Sequence, residues 1–170
     1  MTEYDVASES PYAFLGEEET RAWYAYMKVH LRLRYEMDHH LRGDHGISLA
    51  DYDVLVALVS DPERTLSVSD LATRIGSERS RVSHQLRSLS ARGLVTLATD
   101  PDDRRVTRVA LSDRGNDTLA DVSPRHIDFV RSVFFDALTP PQVQEMSTMF
   151  EGIYDQLIRH GTLPRPVDHP

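Results

Sequence analysis

Apolar residues recur at three- and four-residue spacing through most of the chain, and one stretch alternates instead. After Gly16, the acids Glu17, Glu18 and Glu19 suit the positive end of a helix dipole. A first helix is predicted from there to about Arg42, stopped by Gly43 and Gly46. Trp23, Tyr26, Met27, His30, Leu31, Leu33, Tyr35, Met37 and Leu41 cover more than one of its faces. A helix apolar on two sides packs on two partners, which points to an intersubunit role. Residues 1–15 contain Pro11, lack periodicity and read as an arm that packs Tyr12, Phe14 and Leu15 onto a neighbour.

Ser48 and Asp51 form a capping-box pair that opens a second helix. Tyr52, Leu55, Val56 and Val59 give it one buried face, and Asp61-Pro62 ends it. Ser67 and Asp70 cap a short third helix with Val68, Leu71 and Ile75 inward, stopped by Gly76. Ser77 is read as the cap of a fourth helix with Val82, Leu86 and Leu89 on its apolar line and Gly93 at C′. The period then changes to two. Residues 94–99 and 105–111 alternate as strands around the turn signal Asp100-Pro101-Asp102-Asp103-Arg104, which predicts a hairpin. Ser112 or Asp113 caps a fifth helix, with a kink or break expected at Ser123-Pro124. Thr139, Pro140 and Gln142 start a sixth, with Val143, Met146, Phe150, Ile153, Tyr154 and Leu157 as its stripe and Gly161 and Pro164 at its end. The fold class is therefore mainly α with a small β wing.

Composition narrows the chemistry. The 170 residues carry a formal charge of -8 and no cysteine. That excludes disulfides, thiolate metal sites, catalytic thiols and any sulfenic-acid switch. No apolar run is long enough to cross a bilayer, and MTEYDVASES has neither a basic n-region nor an h-region. No membrane partner and no signal peptide are expected, and the expected compartment is the cytoplasm. Nothing resembles a catalytic triad, a P-loop, a dinucleotide fingerprint or H-E-x-x-H, so no enzyme activity and no cofactor are expected. The charge is unevenly spread. Between Arg74 and Arg108 stand eight arginines and four acids, a net +4 that leaves -12 on the rest. That is the pattern of one polyanion-facing surface on an acidic framework.

The third and fourth helices with the tight Gly76 turn form a helix-turn-helix, whose second helix enters the major groove. Its exposed positions are then Ser80, Arg81, Ser83, His84 and Arg87, with Arg79 at its start and free backbone N–H groups at the Ser77 end for a phosphate. The hairpin becomes a wing with Arg104, Arg105 and Arg108 near its tip, suited to a minor groove.

Residues 49–115 resemble the winged helix-turn-helix of MarR-family transcription regulators. The likeness rests on Leu71-Ala72 with Ile75-Gly76; on Val82-Ser83, Leu86, Leu89 and Arg92-Gly93-Leu94-Val95; and on Asp103 and Arg105 followed by Leu111-Ser112, where Thr is more usual than Ser. With the flanking helices it extends over roughly 17–160. It implies a homodimer built by the first and last two helices, binding of double-stranded DNA at a pseudo-palindromic operator, and repression released by a small-molecule effector. It also implies that Asp103 orients the wing and that Arg105 reaches DNA. The organisation expected is an arm and dimerisation helix over 1–48, a DNA-binding region over 49–112, and dimerisation helices with a tail over 113–170.

Two further sets of residues invite a role. Trp23, Tyr26, His30 and Tyr52 are candidates for an effector pocket between the first, second and fifth helices. His39, His40 and His45, with Glu36 and Asp44, are read first as solvated residues at a helix end, and no metal site is assigned. A zinc-responsive regulator of the same fold is the alternative they leave open. A winged helix that docks on a protein partner is the other.

Overall fold

The computed structural model describes residues 9–166. A 3₁₀ turn, Pro11–Phe14, precedes helix α1, Glu17–His45, and α2 follows at Leu49–Val59. Strand β1, Thr65–Ser67, leads into α3, Val68–Arg74, and α4, Arg79–Ala91. Strands β2, Val95–Thr99, and β3, Thr107–Leu111, form the hairpin. Helix α5, Asp113–Val130, passes into a π turn at Arg131–Phe135, and α6 is Pro140–His160. The three strands form one antiparallel sheet in the order β1-β3-β2, with Leu97 and Leu66 both opposite Val109.

The local signals act largely as expected. Ser48 Oγ accepts from the Asp51 N–H at 3.0 Å, and Asp51 Oδ2 from the Ser48 N–H at 3.2 Å. Ser67, Ser112 and Thr139 stand at the N-caps of α3, α5 and α6. Gly93 takes φ +73° just past α4, a left-handed turn that an L side chain would oppose. The core joins Val54, Leu55 and Leu58 of α2 to Leu71, Val82, Leu86, Leu89 and Val109, all at most 1% exposed.

Five features differ from the sequence reading. The helix α1 runs through Gly43 to His45 and ends only at Gly46, at φ +66°. Ser77 does not cap α4; Glu78 is the N-cap, and the Ser77 N–H closes the preceding turn on Ala72 O at 2.9 Å. The wing strands begin one residue later at Val95 and two later at Thr107, which leaves Arg105 in the turn. Strand β1 carries no alternation long enough to be read, and its partner Val109 lies 43 positions on from Leu66.

The fifth concerns Pro124, which does not break α5. The carbonyl that loses a partner is that of Ala120, on the exposed side, while Leu119, Val122 and His126 are buried. Packing of those three residues keeps the helix continuous through the proline. The irregularity comes later, where the Asp136 N–H bonds Arg131 O across five residues.

Phe14 stays 92% exposed and Leu15 40%, and the side chain of Tyr12 lies outside the described residues. No residue of α6 is buried: Met149, Phe150, Ile153 and Leu157 are 47–62% exposed. On α1, Trp23, Tyr26, Leu31 and Tyr35 are likewise open.

Candidate nucleic-acid interface

Val82, Leu86 and Leu89 anchor α4 in the core, so the opposite face looks outward. Arg79, Ser80, Arg81, His84 and Arg87 are all exposed on it. The guanidiniums of Arg79, Arg81 and Arg87 make no ion pair with another described residue. The half-buried Ser83 differs from the reading of its type. Its Oγ donates to Arg79 O at 2.8 Å, so its one proton is committed to the helix backbone. It offers only an acceptor outward, not the donor a phosphate needs.

The open backbone donors are also displaced by one turn start. The first intrahelical bond of α4 runs from the Val82 N–H to Glu78 O at 3.1 Å. The N–H groups of Arg79, Ser80 and Arg81 precede it and are the ones available to an anion, rather than the N–H of the half-buried Ser77. Arg79, Ser83 and Arg87 also line a cleft of about 170 Å³ that separates α4 from Leu97 and Thr107 of the wing.

The wing is organised by two carboxylates. Asp100, 8% exposed, accepts at Oδ1 from the Asp102 and Asp103 N–H groups at 2.9 and 3.0 Å. At Oδ2 it accepts from Arg108 Nε at 2.7 Å. Arg108 is therefore tied down on β3, opposite Ala98, and not free at the tip. Asp103 grips Arg105 with both oxygens, from Nε and Nη2 at 3.0 Å each, and Oδ1 also takes the Arg105 N–H. The Arg105 side chain is nonetheless 89% exposed, so it is pre-oriented and presented. Arg104 stands exposed beside it. The Arg108 hydrogen bond, followed by the two N–H groups, holds the Asp100 carboxyl below its ordinary range; Arg105 does the same for Asp103. Sequence reasoning used Asp100 as a turn signal but gave it no part in orienting the wing.

Arg92 and Arg74, counted in the basic stretch, turn inward. Arg92 Nη1 donates to Asp51 Oδ2 at 2.8 Å and Nη2 to Gly46 O at 3.3 Å, which ties the end of α4 to the α1–α2 corner. Gln85 Nε2 adds a 3.4 Å contact to Asp51 Oδ1. Burial pushes the Asp51 carboxyl up, but the bonds from Arg92, Ser48 and Gln85 outweigh it, and it lies below its ordinary range. Arg74, 9% exposed, donates to Ala57 O at 2.8 Å. The outward positive surface is thus Arg79, Arg81, Arg87 and Arg104, with Arg105 and Arg108 held by acids. This set of forked donors beside open N–H groups fits a phosphate-lined polyanion.

The four effector candidates do not come together. Trp23, Tyr26 and His30 stack in sequence along α1, at 5.3 and 5.5 Å between ring centroids. Tyr52 packs instead edge-on against His126 at 4.7 Å, with its hydroxyl 3.3 Å from Ser123 Oγ. The metal-ligand candidates also divide. Glu36 pairs with Arg32 at 2.6 Å, and His39 is exposed and stacked on Tyr35. His40, Asp44 and His45 do converge. His40 and His45 are not solvated: the Nε2 atom of each is buried.

The comparisons agree with this geometry. A family model described as MarR family matches residues 45–106. The crystal structure of Sco3205, a MarR family transcriptional regulator from Streptomyces coelicolor, in complex with DNA, is similar over 89% of this chain and 98% of that one, with 32% identity and a TM-score of 0.83. AbsC, another MarR family transcriptional regulator from Streptomyces coelicolor, covers 85% and 97%, with 30% identity and a TM-score of 0.79. YdgJ of Bacillus subtilis (strain 168), an uncharacterized HTH-type transcriptional regulator, is 31% identical over 74 residues. That match spans 44% of this chain and 44% of YdgJ.

Proposed function

The chain belongs to the MarR family of transcriptional regulators, and from that premise we propose that it binds double-stranded DNA as a homodimer at a pseudo-palindromic operator. In this reading α4 enters the major groove and the β2–β3 wing lies over the adjacent minor groove. One observation carries it. The exposed, unpaired Arg79 and Arg87 of α4 flank a cleft shared with Leu97 and Thr107 of the wing that presents Arg105, in a chain whose remainder is strongly acidic. Arg81, His84 and Arg87 would meet base edges and phosphates, and Arg104 and Arg105 the minor groove. Asp103 would act on DNA only through Arg105.

The exposed apolar faces of α1 and α6 support the dimer, because a lone chain leaves them in water. Residues 1–48 and 113–170 would then form the dimerisation part, and 49–112 the DNA-binding part. The proposed output is repression in the cytoplasm, relieved by a small-molecule effector. A hollow of about 520 Å³ lined by Val29, Leu33, Val133 and Phe134 is a space of suitable size for one. Among the described residues no helix is long and apolar enough to cross a membrane. Footprinting on DNA flanking the chain's own gene tests the reading. Two protected half-sites about one helical turn apart are expected; no protection at low salt would overturn it.

A further inference from the structure

Away from the DNA surface, the C-terminal end of α1 meets α5 in a cluster of imidazoles. His40 and Asp44 share a helix face four residues apart, with His40 Nδ1 3.5 Å from Asp44 Oδ2. His45 follows where the helix turns at Gly46. One donor atom from each of His40, Asp44 and His45 lies within 4.8 Å of the other two. From α5, His126 brings a ring 5.9 Å from that of His40. It is only 3% exposed, and none of the four is a residue that the DNA surface uses.

Three polar atoms in this cluster are left over. Nε2 of His40, Nε2 of His45 and Nδ1 of His126 are buried and have no hydrogen-bond partner among the described residues. Burying such an atom with nothing to meet it is costly, and three in one place call for a common partner. The surroundings keep the rings in place. Phe129 stacks on His40 at 4.4 Å and 11°, and Tyr52 closes the far side of His126.

We propose that His40, Asp44 and His45, completed by His126, bind a divalent transition-metal ion of the zinc class. Neutral imidazole nitrogens with one carboxylate suit zinc and its first-row neighbours, whereas calcium and magnesium take oxygen cages. The ion would clamp α1 to α5. It would also sit one residue from Gly46, whose carbonyl accepts the Arg92 bond at the end of α4. A coupling of metal to DNA affinity follows from that strut, and this part rests on the DNA-binding reading above.

The test uses the full purified chain, stripped with a chelator. Zinc is titrated against a chromophoric competitor, and cobalt(II) is added separately to read its visible ligand-field bands. One zinc per chain is expected, with bands of four-coordinate nitrogen and oxygen ligation. Asp44→Asn, at a half-exposed side chain that should leave folding intact, and the double variant His40→Gln with His45→Gln should each lower zinc affinity more than about 10-fold. Wild-type protein with no such bands, or binding zinc no tighter than the variants, overturns the site. These readouts need no DNA, so failure of the DNA reading leaves them standing. A chain that holds zinc in this set, yet binds its operator equally with and without it, overturns the coupling to α4.

Discussion

The carboxylate of Asp51 accepts a hydrogen bond from Arg92 Nη1 at 2.8 Å, which ties the first turn of α2 to the end of α4. The same carboxylate caps α2 through Ser48. Asp51→Ala removes both functions and should cost about 1–3 kcal/mol in a denaturant titration. Arg92→Ala keeps the cap and should cost less. Equal losses would show that the strut, rather than the cap, dominates.

That pair also sets an acid limit. The Asp51 carboxyl lies below its ordinary 3.8 in the folded chain, so the unfolded state takes up a proton first as the pH falls. Its contribution is complete above the ordinary value and is lost as the pH drops through the lowered one. Wild-type stability should therefore decline below about pH 4 more steeply than that of Asp51→Ala. Parallel acid limbs in the two proteins would contradict this.

Asp103→Ala separates charge from position at the wing. It removes one negative charge from the DNA surface, which by charge alone should tighten binding. It also releases Arg105 from its bidentate grip. We expect weaker operator binding, several-fold, with stability changed by less than about 0.5 kcal/mol. Tighter binding would mean that Asp103 does not present Arg105.

Gly115 lies in the first turn of α5, where the helix crosses the Leu94 backbone. A Cβ there would come within 2.1 Å of Leu94 O and 2.8 Å of Leu111 Cδ1. Gly115→Ala must push α5 off the wing root and should destabilise by roughly 2 kcal/mol or more in thermal unfolding. An unchanged melting temperature would show that the crossing relaxes freely.

Much of this was legible from local pattern. The 3/4 spacing of Val82, Leu86 and Leu89 sufficed to orient α4, and with it the face of Arg79, Arg81, His84 and Arg87. Ser112, Thr139 and Gly93 mark helix ends by side-chain or backbone chemistry that acts within four residues. What escaped depends on distance in sequence. Arg92 looks like any other arginine of a basic stretch until Asp51, 41 positions earlier, is folded against it. β1 is too short to alternate visibly and exists because β3 pairs with it. Pro124 is a helix breaker locally, but buried neighbours decide otherwise. His126 carried no motif, and only the packing of α5 on α1 brings it to His40.

The dimer can be tested on α6. Phe150→Glu with Leu157→Glu places charge on two exposed members of its apolar stripe. Sedimentation should give a dimer for the wild type and a monomer for the variant, whose operator affinity falls with it. A monomeric wild type at micromolar concentration would remove the proposed dimer.

The most direct test of the DNA surface is the salt dependence of duplex binding, for the wild type and for Arg87→Ala. Affinity of the wild type should fall steeply as salt rises, by about 0.9 logarithmic units per phosphate contact for each tenfold rise in salt. Arg87→Ala should bind more weakly and with a slope shallower by about 1 if Arg87 meets a phosphate, or weaker by about 1–3 kcal/mol at that position alone if it meets a base. Full affinity and an unchanged slope in Arg87→Ala, at moderate salt and with the fold intact, would contradict the placement of α4 in the groove.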